Sequence, residues 1–395
     1  MNCFSNISRK FLASKNDWFS KSFLTNALRK SIILFLLLFS FFSLAAEEGL
    51  GDFYLESRLL TWGFDMDFCL RLANGLLDNR DTIFRFNLGS SIDWLGYYRD
   101  ENDHYTEDSD LDYMYTRTNA NFGFAFEQGI LWNEETNKNL LSFMFRYRSI
   151  RTWNFNMFDQ DSLLFNSIRH DRDGGLYNTF IFSFLLDDTI FHKETGLRKG
   201  LSSEFSAEIG PKWFFNDVIS IADFTRLFMN TKYFHPLYET KSRDKFIQAI
   251  YWADSIGIDY CFGENIPLPV RQTFGVLKMV DGCGGMVRGF ERRRFDSEVK
   301  IINNFDLRFI MSQIKNKKST KIFRPGFLVF FDTCYFDKLD GYKDNGSGVL
   351  MSTGFSLFSE FLFMGNCLLT VGFPIMGERI DGSPVSVSLN YGLRF

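Results

Sequence analysis

Apolar side chains recur at every second position in one segment of the chain after another. Near the C-terminus Val385, Val387, Leu389, Tyr391, Leu393 and Phe395 alternate with Ser386, Ser388, Asn390, Gly392 and Arg394. Successive side chains of a strand point to opposite faces, so this spacing predicts a strand with one apolar face and one small or polar face. Phe84, Phe86 and Leu88 alternate with Arg85, Asn87 and Gly89, and Phe122, Phe124 and Phe126 with Asn121, Gly123 and Ala125. Leu141, Phe143, Phe145 and Tyr147 alternate with Ser142, Arg146 and Arg148, and Phe205, Ala207 and Ile209 with Ser206, Glu208 and Gly210. Val299, Ile301, Phe305, Leu307 and Phe309 alternate with Glu298, Lys300, Asn304, Asp306 and Arg308. Charges repeated on the second face fit a wet lumen better than a dry core, because a buried charge is costly unless paired.

Polar, turn-rich stretches separate these runs. Tyr98–Tyr113, Asp159–Gly175 and Asp337–Gly348 read as outer loops, and Lys315–Lys321 as a turn on the opposite side. Residues 150–260 are harder to parse. The expected fold is all-β, a transmembrane antiparallel barrel of about 16 strands that takes up residues 47–395, at about 22 residues per strand and connection. The first strand is expected near Asp52–Phe64.

Composition strengthens that reading. The chain holds 49 phenylalanines in 395 residues, yet only one long apolar run, Ile32–Leu44, follows Arg29 and Lys30 and precedes Ala45 and Ala46. A basic flank, a short apolar core and small residues describe a secretory signal peptide over 1–46, shorter than the ~20 residues a spanning helix needs. The remaining 349 residues carry 38 basic and 47 acidic side chains. That balance argues against nucleic acid as a partner.

Candidate chemistry is sparse. Cys69, Cys261, Cys283, Cys334 and Cys367 are scattered, and no disulfide framework or zinc site is legible in their spacing. His104, His170, His192 and His235 are read as lying in or near loops, without metal-ligand spacing. No nucleophile elbow or phosphate-binding glycine loop is present. The reading is therefore not an enzyme, with no cofactor and no metal.

One late stretch is more specific than alternation. Gly284-Gly285-Met286-Val287-Arg288-Gly289-Phe290 resembles the sixth extracellular loop of the outer-membrane assembly-factor superfamily, which includes BamA, TamA and the two-partner secretion transporters. The surroundings agree in order: Ile266-Pro267-Leu268-Pro269 before it, then Asn304-Phe305-Asp306-Leu307-Arg308 and Phe330-Phe331-Asp332-Thr333-Cys334, with Cys334 in place of the family's glycine. Ser352-Thr353-Gly354-Phe355, Val371-Gly372-Phe373-Pro374 and Leu389-Asn390-Tyr391-Gly392 resemble the family's last strands, so the likeness covers roughly 260–395. It implies a loop folded back into the lumen, tethered through Val287, Arg288, Gly289 and Phe290 to Asp332, with Asp306 and Arg308 on the supporting lumen face. The adjoining Glu291-Arg292-Arg293-Arg294 reads as a solvated charge run, or alternatively as a segment threading through lumen carboxylates. The family's substrate-gathering periplasmic domains have no room before the first strand, so the resemblance is to a short branch.

The resemblance further implies the bacterial outer membrane as location, its lipids as surroundings, and assembly machinery that reads Tyr391, Leu393 and Phe395. A periplasmic accessory protein is a further expected partner. The implied function is insertion or translocation of protein or lipid. The alternative from another class is a diffusion pore or surface-exposed structural barrel and antigen.

Overall fold

Segments that alternate in sequence pair with their neighbours along the chain in space. The structure, a computed structural model, describes residues 52–60, 63–72, 75–77, 80–97, 114–155, 171, 173–192, 197–242, 245–271, 273–274, 287–290, 297–311, 314–315, 321–337, 348–361, 365–377 and 383–391. The strands are β1 (Asp52–Leu60), β2 (Gly63–Leu72), β3 (Thr82–Tyr97), β4 (Met114–Asn133), β5 (Lys138–Phe155), β6 (Leu176–Asp187), β7 (Ile190–His192) and β8 (Leu197–Gly210). They continue with β9 (Asp223–Ser242), β10 (Lys245–Asn265), β11 (Val299–Met311), β12 (Ile314–Lys315), β13 (Lys321–Phe336), β14 (Gly348–Phe361), β15 (Gly365–Met376) and β16 (Ser386–Tyr391). One four-residue helix, α1 (Leu268–Arg271), follows β10.

These make a 16-stranded sheet in which fourteen strands follow one another in chain order, while β7 pairs only with β8 and β12 only with β13. The count of strands that run the sheet is thus lower than expected. The reason is length: β4 and β9 take 20 residues each and β10 takes 21, so each uses more of the chain. Among the described residues, no pairing joins β1 to β16. Tyr54–Phe395 form one compact unit.

The faces are inverted relative to a water-soluble sheet. On β8, Phe205 is 52% exposed while its neighbour Ser206 is 0% exposed. On β6, Phe182 and Phe184 are exposed and Ser183 between them is buried. On β11 and β13 the buried set includes Lys300, Asn304, Asp306, Arg308 and Asp332, while Ile301, Val329 and Phe331 face out. An apolar outer band over a polar interior is the surface of a transmembrane barrel, whose outside is solvated by acyl chains. Cross-strand aromatic contacts tie that band together. Ring centroids lie 5.4 Å apart for Phe84 and Phe126, 6.1 Å for Phe124 and Phe145, and 5.3 Å for Phe145 and Phe182. No helix of the described residues is long and apolar enough to cross a membrane.

Antiparallel order sends alternate connections to opposite ends. Residues 98–113, 156–175, 211–222, 266–298 and 337–347 connect strands at one end, and the short links 134–137, 243–244 and 362–364 lie at the other. Most of the stretches read as loops, including Tyr98–Tyr113 and 291–294, lie outside the described residues, as does residues 1–46. Near Asp52–Phe64 the chain forms β1 and enters β2, two strands where one was expected.

The hard-to-parse middle holds β6 to β10. The β9–β10 pairing is irregular between Phe246 and Gln248, Ile250 and Tyr251, and Phe262 and Asn265, and each shift breaks the period-two pattern. His235 is a correction to the sequence reading: it sits inside β9, not in a loop, stacked on Tyr233 with centroids 5.9 Å apart. Pro236, which suggests a break, is accommodated at one of those bulges.

The face assignment is testable. Phe182→Arg should destabilise the folded chain in phospholipid vesicles by about 2–4 kcal/mol if it reaches the bilayer midplane. Ser183→Ala, which alters the inner face, should cost about 1 kcal/mol. Urea midpoints followed by the unboiled-gel shift measure both, and equal losses would contradict the assignment.

Candidate functional site

The wall beneath the loop is built by three registers. Asn304 on β11 pairs with Asp332 on β13, and Asp306 with Phe330. Asp332 pairs with Ser352 on β14, and Gly354 of β14 with Gly372 of β15. Period two therefore puts Asp306, Phe330, Asp332, Ser352 and Gly372 on one buried, inward patch.

Residues 287–290 lie against this patch. The turn closes by a hydrogen bond from Phe290 N to Val287 O at 3.3 Å. Arg288 donates to Asp332 three times: from its backbone N to Oδ2 at 2.8 Å, from Nε to Oδ2 at 2.8 Å, and from Nη2 to Oδ1 at 2.5 Å. Nη2 also reaches Oδ1 of Asp306 at 2.6 Å. Oδ2 of Asp306 in turn accepts from Nε and Nη2 of Arg308 at 3.0 and 2.8 Å. The guanidinium carbon of Arg288 lies 4.1 Å from the centre of the Phe330 ring. Two carboxylates and two guanidinia thus form a charge-balanced row, with Asp332 0% exposed. A planar fork matched to a carboxylate is the geometry at which arginine is strongest.

Two glycines let the loop approach. Gly289 has φ of 102°, a conformation that L side chains rarely adopt. A Cβ on Gly372 would stand 2.6 Å from the Cα of Gly289, so the backbones touch where only glycine fits. Ser352 Oγ donates to the carbonyl of Arg288. Val287 and Phe290 enter an apolar cluster with Phe274, Ile302, Cys334, Phe336 and Leu350. Cys334 fills part of that cluster. Cys69, Cys261 and Cys334 are free and buried.

The structure therefore brings together Val287, Arg288, Gly289, Phe290, Asp332, Asp306 and Arg308. Tyr391 contributes its backbone to β16 opposite Cys367, while Leu393 and Phe395 lie outside the described residues. Sequence reasoning missed a second anchor at the loop's other shoulder. Arg226 of β9 forks onto Asp259 of β10 with Nε at 2.9 and 3.0 Å from its two oxygens, and Nη2 also donates to the carbonyl of Thr273. Lys300 Nζ donates to the carbonyls of Arg271 and Thr273 at 2.7 and 2.8 Å and lies 3.7 Å from Asp259. The segment leaving β10 is held by the wall before the chain reaches residue 275. Lys300 shares strand parity with Asp306 and Arg308, the one signal in the sequence that points to it. Its pairing opposite Asp259 depends on a register that composition does not reveal.

No protein-family model and no curated protein matches the chain. Among solved structures it is similar to CdiB from Escherichia coli, with a TM-score of 0.47 and 13% identity over 83% of this chain and 52% of that one. It is also similar to CdiB from Acinetobacter baumannii, with a TM-score of 0.44 and 9% identity over 83% of this chain and 50% of that one. The chain spans about half the length of these proteins.

Removing one partner of a buried pair strands the other charge. Arg288→Ala should destabilise the fold by about 3–5 kcal/mol. Adding Asp332→Ala to that variant should cost less than the sum of the single changes, because the second substitution removes the stranded carboxylate. Melting of the compact band on unboiled gels reads both, and strict additivity would deny the pair its coupling.

Proposed function

We propose that this chain is an outer-membrane barrel of the type found in the BamA and TamA superfamily, and that it assists insertion or translocation of protein or lipid. Its bore is stoppered by its own loop, which Arg288 tethers to Asp332 and Asp306. The observation that carries the reading is the fit of Val287-Arg288-Gly289-Phe290 against a wall patch with matching charge and matching glycine. The inverted faces support the location in a lipid bilayer, and the long connections gathered at one end support an outward-facing rim.

The work proposed is gating rather than chemistry. The row from Asp332 through Arg288 to Arg308 carries no net charge, which makes it stable when water is excluded. Wetting of the bore lowers the cost of separating the partners, since each charge then finds solvent. A client that hydrates or occupies the lumen would thus loosen the loop without any covalent step. Capture of the client would fall to a separate accessory protein in the periplasm, and assembly of the barrel itself to machinery reading the last strand.

Planar-bilayer recording of the purified chain tests the tether as a stopper. Conductance should be small or flickering in the parent and should rise in Arg288→Ala. A large steady conductance that Arg288→Ala leaves unchanged would favour the diffusion pore or surface antigen instead. Photo-crosslinking in cells from lumen positions should capture a protein or lipid client under the insertion reading.

A further inference from the structure

One connection at the long-loop end turns outward. On β5 the outward positions run Leu141, Phe143, Phe145, Tyr147 and then Ser149, and they pair with Leu186, Phe184, Phe182, Phe180 and Asn178 of β6. Tyr147 and Phe180 are therefore the last of four consecutive rows that are apolar on both strands. The turn over residues 211–222, between β8 and β9, folds onto this row. Phe214 lies 4.7 Å from Phe180 and 5.9 Å from Tyr147 by ring centroids.

Asn216 clamps the turn in place. The β6–β8 ladder starts at Phe180, which leaves the backbone of Asn178 open on that side. Asn216 fills the gap: its Oδ1 accepts from Asn178 N at 2.6 Å and its Nδ2 donates to Asn178 O at 2.9 Å. The same Nδ2 donates to Pro211 O at 3.0 Å, and Asn216 is fully buried. Tyr147 completes the clamp by donating its hydroxyl to Oδ1 of Asn178 at 2.8 Å. A side-chain amide here does what a strand's backbone would do, so the turn is held firmly against the wall.

What the clamp displays is apolar and open. Trp213 is 77% exposed, Phe215 63% and Val218 63%, with Ile219 beside them. Phe215 holds this position at φ of 58°, a backbone conformation that is a genuine outlier for a bulky residue. Lys212 beside Trp213 and Asp217 beside Val218 are both exposed, one charge of each sign at the edge of the patch.

We propose that this turn is a lipid-binding element, which sinks Trp213, Phe215, Val218 and Ile219 into the headgroup–acyl boundary of the leaflet on the long-loop side. The patch is continuous with the acyl-facing band through Phe214, and an amphipathic tryptophan with a neighbouring lysine suits that depth. The element would fix the barrel's vertical position and order the lipid beside β5, β6 and β8. The inference rests on the membrane reading above.

The test uses the full chain refolded into phosphatidylcholine vesicles brominated either near the headgroup or near the chain ends. Emission of Trp213 is the difference between the parent and Trp213→Phe, and a Phe182→Trp variant supplies a mid-band reference. The Trp213 signal should be lost more with shallow than with deep bromines and should resist aqueous iodide, while the added tryptophan of Phe182→Trp loses more with deep ones. A Trp213 signal lost to iodide and untouched by either lipid would overturn the inference. So would protection from both quenchers, which is the mark of a second copy or another protein over the patch. If Phe182→Trp also escapes the brominated lipids, the membrane reading falls and takes this inference with it.

Discussion

Arg288 joins residues 287–290 to two strands at once, and the charge balance of the inner wall depends on that contact. Its guanidinium lies between Asp332 of β13 and Asp306 of β11, and Arg308 completes a row of alternating sign. Each of these groups would be expensive to bury by itself. Buried together, they cancel. The consequence is that residues 287–290 are part of the wall's electrostatic balance rather than an appendage to it. Removing the loop would leave Asp332 on the inner face of β13 without its Arg288 partner.

The inverted faces explain why such rows matter more here than in a soluble domain. Phenylalanine on the outer face of β4, β5, β6 and β8 gains nothing by packing inward, since acyl chains solvate it as well as a core would. The interior must then cohere through polar contacts. Arg148 reaches Glu208 across β6, Arg226 and Lys300 gather on Asp259, and Arg288 gathers Asp332 and Asp306. Apolar packing is confined to small clusters, and one of them, around Ile302, Cys334 and Leu350, receives Val287 and Phe290. The loop is thus held by charge at both shoulders and by grease between them.

How far the sequence discloses this depends on whether a property is local. Alternation such as Phe205-Ser206-Ala207-Glu208 identifies the strand and both its faces, since parity alone decides which side chain points where. The pairing of Arg288 with Asp332 was legible because the motif resembles a known family's, and the parity of β13 then agreed. Arg226, Asp259 and the role of Lys300 were not legible. Their meeting requires the register of β10 against β11 and β9, and three bulges in the β9–β10 pair break the pattern from which register could be read. One of those bulges also absorbs Pro236, so His235 stays within the strand. The turn at 211–222 gave no periodic signal, because its order comes from one amide replacing a missing ladder rung.

Two connections at the same end of the sheet go to opposite sides of the wall, and their composition accounts for it. The chain at 287–290 offers a guanidinium and a glycine at positive φ, which match carboxylates and a bare glycine on the inner face. The chain at 211–222 offers Trp213, Phe214 and Phe215, and the outward row of Tyr147 and Phe180 packs on Phe214. Neither needs to be guided by the loop's length. In a wall whose two faces differ this much, these two connections settle on the faces that share their chemistry, the polar one on the inside and the aromatic one on the outside.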